Sequence, residues 1–111
     1  MSDSPASRIQ QDIKTAEIIE LLRTIYDPEI PVNIYDLGLV YGIHLADDGN
    51  VHIRMTLTSP ACPVAGSLPP QVERLVAGIA GVTGCQVEVV WDPPWSPERI
   101  SEAARLQLGI D

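Results

Sequence analysis

Phenylalanine is absent from this 111-residue chain, so its core has to be packed with Val, Ile and Leu. The hydrophobic fraction of 45% is too high for a disordered chain and implies a folded one. Bases are scarce: seven Lys and Arg stand against 15 Asp and Glu, a net charge of −8. The bases are scattered, which argues against a nucleic-acid phosphate backbone or an anionic membrane surface as partner. No stretch approaches the length of a membrane helix. The opening Met1-Ser2-Asp3-Ser4-Pro5 lacks the basic and apolar regions of a signal peptide, so a cytoplasmic location is expected. Cysteine is scarce too. Two are present, neither in a Cys-x-x-Cys pair, which leaves no complete zinc site within one chain. In a reducing compartment a disulfide between them is disfavoured. Also missing are Gly-x-Gly-x-x-Gly, a phosphate loop and a nucleophile elbow, so no common enzyme signature is present.

What is present organises as one domain, residues 12–111, after a flexible tail, 1–11. Ile18, Leu21, Leu22 and Ile25 form one apolar stripe, predicting a helix from about Asp12 to Tyr26 that Asp27-Pro28 ends. "LGLVYGIHLA" and "NVHIRMTLT" flank Asp47-Asp48-Gly49 and read as a β-hairpin. The favoured register sets Leu45 opposite Val51, Ile43 opposite Ile53 and His44 opposite His52, with Tyr41, Ile43 and Leu45 on the apolar face. A second helix lies between Pro63 and Ile79. Either it is kinked at Pro69-Pro70, or it begins after a Ser67 cap that leaves the prolines in its first turn. "CQVEVVW" reads as a third strand, and Ser96 as the cap of a last helix from Pro97 to about Leu108, stopped by Gly109. The order α-β-β-α-β-α predicts a small two-layer α+β domain, a three-stranded mixed sheet with helices on one face.

Cys62 lies just past the second strand, in "MTLTSPACPVAG". At the start of a helix the backbone dipole and unpaired N–H groups would stabilise its thiolate. A half-buried filler in a Pro-rich turn is the other reading. Cys85, among Val87 and Val89, reads as packing. Asp27, Glu29 and Asp36 crowd one loop, where carboxylates can bind metals or satisfy turn amides; Asp36 suits the turn and Glu29 has less structural reason to be there. Thr56, Thr58 and Ser59 add hydroxyls before the cysteine. His44 and His52 could hold a transition metal only with a third ligand, and otherwise are solvated face residues. Trp91, Pro93, Pro94 and Trp95 either form a docking surface or cap the sheet against the last helix.

"DPEIPVNIYDLGLVY", "MTLTSPACP" and "WDPPWSPERISEAARLQLGI" together resemble the Fe–S cluster assembly-associated domain family, over about residues 12–110. That family includes the SufT proteins, the phenylacetate-degradation protein PaaD and the eukaryotic cytosolic Fe–S targeting factors. The C-terminal motif is most similar to SufT, and the cysteine-rich tail of PaaD is not expected here. The resemblance implies a small α+β domain, frequently a homodimer. It implies a non-enzymatic role with Fe–S assembly machinery and client apo-proteins, as carrier, adaptor or targeting factor. The family's motif cysteine corresponds to Cys62, its acidic loop to Asp27, Glu29 and Asp36, and its hydroxyl residues to Thr56 and Thr58. The expectation is a thiolate ligand at Cys62 to iron or an Fe–S cluster held transiently, with none tightly bound. The alternative is a metal-free adaptor in which Cys62 is structural. Ser59, Tyr35, Gly42 and Pro69-Pro70 depart from the family pattern.

Overall fold

A computed structural model describes residues 5–27 (5–10 as main chain), 30–58 and 67–109. Helix α1 (Pro5–Leu22) leads into a loop and then strands β1 (Val40–Leu45) and β2 (Asn50–Met55). Helix α2 (Leu68–Ala77), strand β3 (Gly84–Val89), a short 3₁₀ turn (Pro97–Arg99) and helix α3 (Glu102–Leu108) follow. The sheet order is β1-β2-β3, antiparallel between β1 and β2 and parallel between β2 and β3. This is the expected mixed α+β architecture.

The hairpin register is the one the alternation favours: Leu45 faces Val51, Ile43 faces Ile53 and His44 faces His52. Gly49 closes the turn at φ +90°, a left-handed value that favours glycine, and its N–H reaches the Ala46 carbonyl at 3.0 Å. Val51, Ile53 and Met55 are fully buried on the inner face of β2. Ile18, Leu22 and Ile25 from the α1 region and Val72 and Val76 from α2 complete the core with them.

Three local expectations change, and one pair of alternatives is decided. Helix α1 begins at Pro5 rather than about Asp12 and ends at Leu22, short of Tyr26. Thr24 stops it by turning its hydroxyl onto the Leu21 carbonyl at 2.6 Å, and Ile25 reaches the core from the turn that follows. Tyr41 does not join Ile43 and Leu45 on the inner face. The pairing shifts between Val40 and Gly42, a bulge that takes Tyr41 out of the alternation. Helix α2 begins at Leu68 with Ser67 at its N-cap and the prolines in the first turn, the second of the two alternatives. The last helix is shorter than predicted: Pro97–Arg99 is a separate 3₁₀ turn, and Ile100 is extended and buried. The true cap of α3 is Ser101, whose Oγ accepts from the Ala104 N–H at 3.2 Å. Ser96 and Ser101 both precede plausible helix starts, and burial of Ile100 selects the second.

Candidate functional site

The carboxyl ends of the parallel pair β2 and β3 gather the segments singled out from the sequence. Beyond Met55 run Thr56, Leu57 and Thr58; beyond Val89 run Val90 and the Trp91–Trp95 turn, with the Val90 N–H on the Met55 carbonyl at 2.8 Å. Crevices at the carboxyl ends of parallel strands are where open α/β sheets commonly bind ligands.

The acidic loop is tied to the same end by a relay of main-chain hydrogen bonds. Ile34 N–H donates to the Ile25 carbonyl (2.8 Å), Leu39 N–H to that of Ile34 (3.1 Å), and Thr56 N–H to that of Leu39 (2.8 Å). The loop from Asp27 is therefore anchored to the segment carrying Thr56. Asp27 is 4% exposed, and its Oδ2 accepts the Ile30 N–H at 2.9 Å. Glu29 lies outside the described residues, as do Ser59 and Cys62.

Asp36 takes the structural role. Its Oδ2 accepts from the Asn33 side-chain amide at 2.9 Å, its N–H donates to Asn33 Oδ1 at 2.8 Å, and Arg23 stands 3.8 Å from Oδ1. A carboxylate engaged on both sides in a turn has little capacity left for a ligand.

Thr56 behaves differently. It is fully buried, and among the described residues its Oγ1 has no hydrogen-bond partner. Burying an unpaired hydroxyl is unfavourable, and such orphans mark positions kept for something other than stability. Thr56→Val keeps the shape and removes the orphan, so the fold is expected to gain about 1 kcal/mol, measured by urea unfolding.

Thr58 lines an apolar pocket of about 310 Å³ with Leu57, Trp91, Pro94 and Trp95. The two tryptophans divide the expected roles. Trp95 Nε1 donates to the Leu37 carbonyl at 2.8 Å and its ring packs on the core, whereas Trp91 is 45% exposed.

Cys85 is half-buried on β3, and its thiol is pushed up to about 11 by burial, with the Glu73 carboxylate adding to the effect. Glu73 Oε2 also accepts the Val87 N–H at 2.8 Å, covering part of the outer edge of β3. Because the pKa rises from 9.0 to about 11, thiolate at pH 8 falls about a hundredfold. In a Cys62→Ser background, iodoacetamide should therefore label native Cys85 at least about a hundredfold more slowly than the unfolded chain. Among the described residues the histidine pair gains no third metal ligand. His52 Nε2 meets Glu88 at 3.3 Å, and among the described residues no group of three or more His, Cys, Asp or Glu could hold a metal.

The family described as iron-sulfur cluster assembly protein matches residues 15–89. The chain belongs to this family. A Porphyromonas gingivalis relative named Fe-S protein maturation auxiliary factor is 45% identical over 94 residues, covering 85% of this chain and 90% of the relative. The Staphylococcus aureus Fe-S protein maturation auxiliary factor SufT is 37% identical over 86 residues, 78% of this chain and 98% of that one. A crystal structure of a Bacillus anthracis domain of unknown function superposes with a TM-score of 0.85 at 37% identity, over 94% of this chain and 99% of that one. The family match spans both the acidic loop and the Thr56–Cys62 segment, and it ends at Val89, before the tryptophan turn. Among the described residues no helix is long and apolar enough to cross a membrane.

Proposed function

We propose that this protein is a non-enzymatic maturation factor that carries or delivers Fe–S clusters as cargo, with Cys62 as its thiolate ligand. The observation that carries the reading is the near full-length correspondence with the Fe-S protein maturation auxiliary factors. The chemistry of the chain is consistent with it. Of the two cysteines, Cys85 is held as a packed, protonated thiol, which leaves Cys62 as the available soft ligand. Asp27 and Thr56 stand on segments hydrogen-bonded to one another, one a buried carboxylate and the other a buried hydroxyl with no partner among the described residues. Such a hydroxyl can donate to a thiolate or a cluster sulfide. Glu29 and Thr58 flank them in sequence, whereas Asp36 serves to shape the loop.

A cluster normally takes four thiolates. One cysteine per chain therefore calls for a homodimer supplying two, with the client protein or a small thiol completing the set. Delivery then requires only that the client's cysteines displace weaker or fewer ligands, with no catalytic turnover. The exposed Trp91 and its pocket favour a second element of the role, docking of the client or of the assembly machinery in the cytoplasm.

Anaerobic incubation with iron and sulfide tests the proposal. The expected result is thiolate-to-iron absorbance and a native mass of two chains with bound iron and sulfide, both weakened in Thr56→Val. A wild-type protein that stays iron-free under these conditions would leave the adaptor role and remove the carrier role.

A further inference from the structure

A cleft of about 500 Å³ adjoins the tryptophan turn, lined by Gly38, Val40, Tyr41, Arg54, Pro93 and Arg99. Pro93 lines this cleft, and its neighbour Pro94 lines the apolar pocket beside Thr58. The two guanidinium groups matter because cations are so few in a chain of net charge −8. Lys14 is paired with Glu17 at 2.9 Å, and Arg23 with Glu20 at 3.2 Å. Arg105 is bound to the Pro97 carbonyl at 3.2 Å. Arg54, Arg74 and Arg99 are exposed, and among the described residues none of their guanidinium groups has an ion pair or a hydrogen bond; of the three, Arg54 and Arg99 line this cleft together.

The fold builds this arrangement rather than leaving it to surface chance. The β1 bulge sets Gly42 opposite Arg54 with Tyr41 beside it, and the space where a side chain at Gly42 would stand is open. Tyr41 is fixed at its far end by donating its hydroxyl to the Pro93 carbonyl at 2.8 Å. Arg99 then lies over the Tyr41 ring, 4.6 Å from the centroid. This cation–π contact with the ring restrains the guanidinium without using its N–H donors, which remain for a ligand. Main chain of Arg99 is packed against Gly38, so its position is set by the fold of the loop and not by the ligand.

We propose that Arg54 and Arg99 form a binding site for a small polycarboxylate. Two planar forks suit two planar carboxylates, each taken by paired N–H donors. The size of the cleft is within the range of small-molecule sites. The negative charge of the rest of the molecule would turn acidic ligands away elsewhere and confine them to this cleft.

Titration of ¹⁵N-labelled protein with succinate, followed at the arginine Nε–H resonances, tests this, with acetate and inorganic phosphate as comparisons. Succinate is expected to shift Arg54 and Arg99 saturably and to bind about tenfold more tightly than acetate. Arg54→Gln and Arg99→Gln should each weaken succinate about tenfold, and Arg74→Gln on α2 should not. Gln retains the Cβ and carbonyl with which Arg99 meets Gly38, and unchanged amide spectra would verify the fold. Arg54→Lys, which keeps the charge and loses the fork, should fall between wild type and Arg54→Gln. Unsaturable shifts, equal affinity for acetate, phosphate binding as tight as succinate, or glutamine variants that bind like wild type would each overturn the assignment.

Discussion

Cys62→Ser is expected to fold and to lose the cluster-dependent activity completely. A hydroxyl replaces a thiol with nearly the same volume, so the stability change should stay within about 1 kcal/mol. The ligand chemistry, by contrast, changes class. A thiolate is soft and substantially ionised near neutral pH when its surroundings favour it, whereas a serine hydroxyl stays protonated and is a poor iron ligand. Reconstituted Cys62→Ser should show no thiolate-to-iron absorbance. A strain relying on it should have the Fe–S enzyme activities of a strain lacking the protein. Cys85 should not substitute, because its thiol is half-buried and pushed up to about 11. If instead Cys62→Ser supports Fe–S enzymes as well as wild type, the cysteine is structural and the protein works as an adaptor.

Gly38→Ala is expected to be the most destabilising single-methyl change among the described loop residues. Gly38 sits at φ +86°, where an L side chain costs about 1–2 kcal/mol. A Cβ there would also overlap the carbonyl and Cβ of Arg99, which are held by the turn Ser96–Arg99 and by the neighbouring Ser101 N–H bond to the Asp36 carbonyl at 2.8 Å. Overpacking against main chain of this kind typically adds about 1–3 kcal/mol. The sum, about 3 kcal/mol, corresponds to a fall of about 10 °C or more in Tm for a domain of this size. The residual folded protein should have Arg99 displaced from Tyr41, so succinate binding should weaken along with stability. A Tm within 2–3 °C of wild type, the shift of well under 1 kcal/mol, would show that the loop and the Arg99 turn part easily.

Much of the architecture was legible because it depends on local alternation. Residues 51, 53 and 55 against 52 and 54 set which face of β2 is buried, and Gly49 set the hairpin register; the alternation ends with the strand, and Thr56 beyond it is buried too. The misplaced Tyr41 shows where alternation stops being informative. A bulge adds one residue to a strand without changing its composition, and here the Tyr41 hydroxyl bond to Pro93, a residue distant in sequence, accompanies it. The same limit applies to α3. Ser96-Pro97 is the stronger local start signal, yet burial of Ile100 in the core requires an extended residue between the 3₁₀ turn and the helix.

The candidate site divides in the same way. From the residues and the family resemblance alone came Cys62, the acidic loop at Asp27, Glu29 and Asp36, and the hydroxyls Thr56 and Thr58, since these are matters of residue type and spacing. The turn role of Asp36 was legible in the sequence, and the structure shows its hydrogen bonds there; only the tertiary structure showed Thr56 buried with its hydroxyl unpartnered among the described residues, Trp95 turned inward to Leu37 and Trp91 left exposed. It alone brought Arg54 and Arg99 to one cleft, because they are far apart in the chain and share no pattern. Spacing along a chain reports which face a side chain takes on its own element. Which partners it meets there is decided by how the elements pack, and hydrogen-bond satisfaction and charge pairing depend on those partners.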